Sequence, residues 1–67
     1  MFGMAGIGKN LRKRAKELKM SDAEIARQLG ISPRRYGNYV NDLREPDFQM
    51  LRKITKVLNI SFNDLFA

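Results

Sequence analysis

Ser21-Asp22-Ala23-Glu24-Ile25-Ala26-Arg27-Gln28-Leu29-Gly30-Ile31-Ser32-Pro33-Arg34-Arg35-Tyr36-Gly37-Asn38-Tyr39-Val40-Asn41 holds two helix starts and one enforced stop. Ser21 followed three residues later by Glu24 reads as a capping box. In that motif the serine oxygen accepts from the backbone three residues on, and the glutamate reaches back. Ile25, Ala26 and Leu29 then share one helical face. Gly30 ends the helix, because the left-handed conformation of a helix stop suits a residue without Cβ. Ser32 caps a second helix at once, and Pro33 suits its first turn. At 100° per residue, Tyr36, Tyr39 and Val40 gather on one side of this helix. Arg34, Asn38 and Asn41 gather on the other, with Arg35 and Gly37 on the flanks. Two short helices joined by Gly30-Ile31-Ser32 form a helix-turn-helix pattern, with the small Ala26 where they cross.

Upstream, Ile7, Leu11, Ala15 and Leu18 recur at helical spacing and predict a first helix over Ile7–Leu18. Its remaining surface is Lys9, Arg12, Lys13, Arg14 and Lys16, opposed only by Glu17, with Lys19 just beyond. Downstream, Asn41–Asp47 reads as a loop from its turn residues. A fourth helix is expected over Phe48–Leu58, with Phe48, Leu51, Ile54, Val57 and Leu58 on its apolar side and Asn59 as its stop. Ser61 to Asp64 reads as a second capping box, opening a short fifth helix through Leu65 and Phe66. The expected fold is all-α and five-helical. Residues 1–6 form an N-terminal arm, read as flexible, and residues 7–67 form one domain.

The totals narrow the chemistry. Sixty-seven residues are enough for one domain. Cysteine and histidine are both absent, which removes thiolate metal sites, a catalytic cysteine, and the commonest general base and metal ligand. Ser21 and Ser32 therefore read as caps, not nucleophiles. No enzymatic activity, cofactor or metal is expected, and Glu45 and Asp47 read as loop hydrogen-bonders. No apolar run approaches a membrane span, and the start of the chain lacks the features of a secretory signal, so a cytoplasmic protein is expected. Thirteen Lys+Arg against seven Asp+Glu leave a net charge of +6. Such a balance on a small domain favours a polyanionic partner through its field and through counterion release. Tyr36 and Tyr39 fall beside Val40, so they are expected in the core, not stacked on bases.

On these residues the chain resembles the phage-repressor and Cro type of helix-turn-helix protein, often called XRE-like. The matching stretches are Ile7–Leu18, Met20-Ser21, Ile25-Ala26 with Leu29-Gly30-Ile31-Ser32, Asn41, Arg44-Glu45-Pro46, and Leu51, Ile54 and Leu58-Asn59-Ile60-Ser61. The similarity extends over about Ile7 to Phe66, nearly the whole chain. The resemblance implies a compact lambda-repressor-like domain that binds double-stranded DNA. It implies a homodimer on an inverted-repeat operator, with the third helix entering the major groove by its N-terminal half. The base-contacting positions of the family hold Pro33, Arg34 and Asn38 here, and Arg35 follows as a base or phosphate contact. Arginine pairs with guanine O6 and N7, and asparagine with adenine N6 and N7; Pro33 offers only apolar contact. The backbone around Asp22 and Ala23 is placed to hold a phosphate at a helix N-terminus. Arg44 is placed to reach the DNA backbone, and Asn41 to fix the loop or contact phosphate. Of the cations on the first helix, Lys9 and Arg14 are expected to touch phosphate while the others attract DNA from a distance.

Several residues depart from the family pattern. Asp22 replaces a frequent glutamine and serves the helix dipole instead. Tyr36 replaces an aliphatic residue, Gly37 lies inside the reading helix, and Asp42 stands where glycine is common. Phe62, Leu65 and Phe66 form a terminal apolar group, part of which is expected in the core; the remainder, with Leu43, is expected to offer a dimer contact. No sensor, peptidase or oligomerisation domain is expected beyond the fifth helix, so control by concentration or by a partner is expected. The leading expectation is a transcriptional regulator, a Cro-like repressor or a small antitoxin-type or phage-derived regulator. The alternative is a protein-interaction module of the same fold with weak DNA binding.

Overall fold

The structure, a computed structural model, describes residues 7–67; the expected N-terminal arm lies outside the described residues. Five helices follow in order: α1 Ile7–Leu18, α2 Asp22–Leu29, α3 Pro33–Val40, α4 Phe48–Val57 and α5 Phe62–Leu65. Among the described residues there is no strand. The fold is therefore all-α, as the periodicity predicts. α2 packs on α3 and on α4, while α1 packs on α3 and α5.

Local chemistry sets the helix ends. Ser21, Ser32 and Ser61 sit in extended backbone, and each accepts from the N–H three residues on, at 3.1, 3.1 and 3.0 Å. Asp47, expected only as a loop residue, caps α4 the same way by accepting from Met50 N–H at 2.8 Å. The reciprocal half of the Ser21–Glu24 box does not form. Glu24 instead accepts from Arg27 and, at 2.9 Å, from Gln28. These hydrogen bonds, Arg27's foremost, hold its carboxyl below the ordinary range. Charge-assisted donors one turn ahead outcompete a neutral backbone N–H behind. Gly30 stops α2 at φ 78°, with Ile31 N–H reaching back to Ala26 carbonyl at 3.0 Å. Lys19, Asp42 and Asn59 take the same left-handed conformation after α1, α3 and α4.

The core combines Ile7, Leu11 and Ala15 with Ile25, Ala26, Leu29, Tyr36, Tyr39, Val40, Met50, Leu51, Ile54, Leu58 and Leu65. One expectation on an apolar residue is corrected. Phe48 is 65% exposed and Met50 is buried instead, because Phe48 falls on the flank of the α4 wheel and Met50 nearer its buried centre. The terminal apolar group divides as expected: Leu65 is its fully buried, core member, whereas Leu43, Phe62 and Phe66 remain exposed.

α1 approaches the end of α3 unusually closely. A Cβ on Gly8 would lie 2.0 Å from the Val40 carbonyl oxygen. The Gly8 N–H donates to Asp42 Oδ1 at 3.1 Å. Asp42 thus holds a backbone shape that favours glycine, and its carboxylate satisfies a donor at the start of α1 that helix geometry leaves open.

Tyr36 is completely buried, and its hydroxyl has no hydrogen-bond partner. Burial, and secondarily the negative charge of Asp22, push the phenol above its ordinary pKa. Tyr36→Phe is expected to raise stability by about 1 kcal/mol, since an unsatisfied buried hydroxyl is removed at nearly constant shape. The pH dependence has a definite sign. Below about pH 10 the phenol is neutral both folded and unfolded and contributes nothing. Above that, the unfolded chain ionises first, so folding stability falls as pH rises. Urea unfolding at alkaline pH should show a steeper loss in the parent than in Tyr36→Phe; equal slopes would contradict the burial of this hydroxyl.

Candidate nucleic-acid interface

α3 divides into two faces by its own sequence. Tyr36, Tyr39 and Val40 are buried. Pro33, Arg34 and Arg35 are exposed, and Asn38 is half-buried. Ser32 fixes the start of the helix through Arg35 N–H, so the first-turn side chains sit on a capped, rigid end.

The loop after α3 folds back onto it. The Asn38 carbonyl accepts from Leu43 N–H at 2.8 Å and Arg44 N–H at 3.2 Å. This brings Arg44 beside the helix. Arg35, Asn38 and Arg44 then line one cleft of about 350 Å³ with Tyr39, Glu45 and Asp47. Three of the residues expected to contact DNA thus meet in one place. Arg34 stands on the outward face of α3 and is not part of the cleft lining. Sequence reasoning missed Tyr39, Glu45 and Asp47 as walls of this cleft; only the return of the loop brings them there.

Asp22 and Ala23 are exposed in the first turn of α2. Ser21 takes the next two donors, Glu24 N–H through its hydroxyl and Ile25 N–H through its carbonyl. The N–H groups of Asp22 and Ala23 precede any intrahelical acceptor and point out of the helix end. The Asp22 carboxylate beside them supplies the charge that a helix N-terminus favours.

Asn41 has a different partner from the one expected. Its Oδ1 accepts from Arg12 at 2.8 Å, which ties the end of α3 to α1, while the loop itself is held by the Asn38 carbonyl. Arg14 is also occupied within the domain. It donates to the carbonyls of Leu58 at 2.9 Å and Asn59 at 3.0 Å, and pairs with Glu17 at 3.0 Å. A guanidinium fork on the two carbonyls just past α4 satisfies acceptors there and places a cation against the negative helix end. Arg14 is therefore a structural clamp, and its assignment to phosphate is not carried forward. Arg14→Met is expected to lose about 1–2 kcal/mol of stability in urea unfolding, with the salt slope of DNA binding unchanged. A slope reduced by about one would return Arg14 to the phosphate contacts. Lys9 is exposed and follows Gly8, which abuts Val40, so it lies near the C-terminal end of α3.

Among the described residues no cluster of His, Cys, Asp or Glu is able to hold a metal ion. No helix among them is long and apolar enough to cross a membrane.

Comparison with known proteins agrees with this geometry. The helix-turn-helix family model matches residues 11–65. The chain is 35% identical over 59 residues to a protein of Bacillus subtilis (strain 168) named "Uncharacterized HTH-type transcriptional regulator YqaE". The match covers 88% of this chain and 51% of that protein, so the chain spans about half the relative's length. No solved structure matches. With the turn at Gly30, a capped α3 carrying a polar outer face, and a family match over most of its length, the chain belongs to the XRE-like helix-turn-helix family of DNA-binding proteins.

Proposed function

We propose that this chain is a transcriptional regulator that reads double-stranded DNA by sequence, acting in the cytoplasm as a Cro-like repressor on an inverted-repeat operator. The observation that carries the reading is the convergence of Arg35, Asn38 and Arg44 in one cleft beside Arg34, on a helix whose other face is wholly core. Arg34 and Asn38 read base edges, with Arg35 next and Pro33 limited to the methyl of a thymine. Arg44, Asn41 through its remaining amide, Lys9, and the backbone at Asp22 and Ala23 hold phosphates. The relative's name supports regulation of transcription. The resemblance to Cro-type proteins supports repression and the pairing of two copies on one site.

Selection from a random duplex pool tests the reading. The enriched sites should contain an inverted repeat with half-site centres roughly 34–36 Å apart. An unenriched pool would favour the second reading, a protein-interaction module of the same fold. That reading draws on the exposed Asp22 carboxylate at the α2 terminus, which opposes a phosphate there.

A further inference from the structure

α4 carries a second cationic surface that the reading of DNA does not use. Met50, Leu51, Ile54 and Leu58 are buried on one side of the chain running through this helix. Gln49, Arg52, Lys53 and Lys56 lie opposite them and are exposed. These four residues line a shallow hollow of about 230 Å³. The row from Gln49 to Lys56 extends roughly 10 Å at the helical rise per residue. The ion pairs found among the described residues, Arg14–Glu17 and Arg27–Glu24, lie on α1 and α2. Asp47, the acid nearest in sequence, is engaged in capping α4.

An aromatic pair adjoins the row. Phe48, one turn before Arg52, is 65% exposed, and its ring stacks on Phe62 with centroids 6.2 Å apart. Phe62 is itself 39% exposed. The surface therefore offers cations and apolar area side by side. Only its Gln49 end adjoins the cleft on α3, whose wall includes Asp47; Lys56 lies roughly 13 Å from Asp47 along the helix axis.

We propose that this surface docks an amphipathic acidic segment of a partner protein. Its carboxylates, spaced a helical turn apart, meet Arg52, Lys53 and Lys56, and its apolar side chain covers the Phe48–Phe62 pair. Charge and shape together select this occupant. A nucleic-acid backbone would answer the cations but offers nothing apolar to the two rings. A second copy meeting this surface with its own would set Arg52, Lys53 and Lys56 against like charges. Because the row leads away from the reading cleft, the partner is able to bind while the domain sits on DNA.

The probe is a short, dye-labelled helical peptide with glutamates on one face beside leucines, titrated with the full chain at about 0.1 M salt, where exposed charges still interact within a Debye length of about 10 Å. A control peptide carries glutamine in place of glutamate. The acidic peptide should bind at least about tenfold more tightly than the control, with backbone amide shifts confined to residues 48–56 and the Phe62 region. The variant Arg52→Gln/Lys53→Gln/Lys56→Gln should weaken peptide binding by about tenfold, and Phe48→Ala by several-fold, while the salt slope for duplex DNA stays unchanged. Any of four results overturns the proposal. The peptides bind equally or not at all; the shifts fall on Arg34–Asn41; the triple variant flattens the duplex salt slope; or Phe48→Ala dissociates a dimer and leaves peptide affinity intact. The DNA-reading assignment stands or falls separately, on the pool selection.

Discussion

Gly8→Ala is expected to destabilise the domain by about 2–3 kcal/mol, the cost of overpacking against atoms that cannot yield. Alanine is the best helix former, and at an open helical site the exchange gains up to about 1 kcal/mol. Position 8 is not open. The added methyl would sit 2.0 Å from the Val40 carbonyl oxygen, 2.8 Å from its carbon and 3.0 Å from Asp42 Oδ2. Two of these are backbone atoms of the last turn of α3, so no rotamer change relieves the contact. α1 must move away, which stretches the 3.1 Å hydrogen bond from Gly8 to Asp42 and pulls on Arg12 and Asn41. For a domain of this size the loss corresponds to roughly 10–20 °C in thermal midpoint. Gly37→Ala is the matched control. A Cβ there meets nothing within 4 Å, so alanine should stabilise by about 0.5–1 kcal/mol. Thermal unfolding followed by circular dichroism distinguishes the two. Equal shifts in one direction would mean that α1 and α3 do not approach as described.

Arg34→Ala and Asn38→Ala are each expected to weaken operator binding by about 1–3 kcal/mol and to relax preference at one base pair. That is roughly fivefold to more than a hundredfold in affinity, from residues whose loss leaves the core intact. Arg34 is exposed and Asn38 half-buried, and neither side chain is needed to hold α3. Asn38 secures the loop through its backbone carbonyl, which alanine retains, so Arg44 keeps its place in the variant. Arg44→Ala should instead weaken all duplexes alike and lower the salt slope by about one. Arg35 shares the cleft with Asn38 and Arg44, and its variant decides whether it reads a base or holds a phosphate. Competition binding against single-base-pair operator variants is the measurement. Uniform losses for Arg34→Ala and Asn38→Ala on every duplex would falsify base reading by these residues.

Much of this molecule is decided within a few residues of chain. Ser21, Ser32 and Ser61 start helices because each oxygen needs only the N–H three positions on, whatever lies elsewhere. Gly30 turns the chain because its left-handed backbone, at φ 78°, is local. The two faces of α3 follow from helical period alone, so Tyr36, Tyr39 and Val40 are core and Arg34 and Asn38 face outward.

What sequence could not specify is which of several equivalent groups meet across the core. Arg12, Lys13 and Arg14 look alike in a charge run. Packing aims Arg14 at the Leu58 and Asn59 carbonyls and Arg12 at Asn41. Glu24 has a choice within its own helix between a backbone N–H behind it and Arg27 ahead, and the sequence pattern offers both. Phe48 has the right composition for the core and the wrong azimuth, so it stands outside against Phe62. Asp42 looks like a glycine lost from a turn until α1 brings Gly8 N–H to its carboxylate across 34 residues of sequence. By itself, then, the sequence determined the helices, the turn and the polar outer face of α3, since those depend on short-range hydrogen bonds and on period. The cleft that gathers Arg35, Asn38 and Arg44, and the turning of Arg12 and Arg14 onto partners within the domain, were settled only by the tertiary structure. Those depend on distances between atoms remote along the chain, which no local preference encodes.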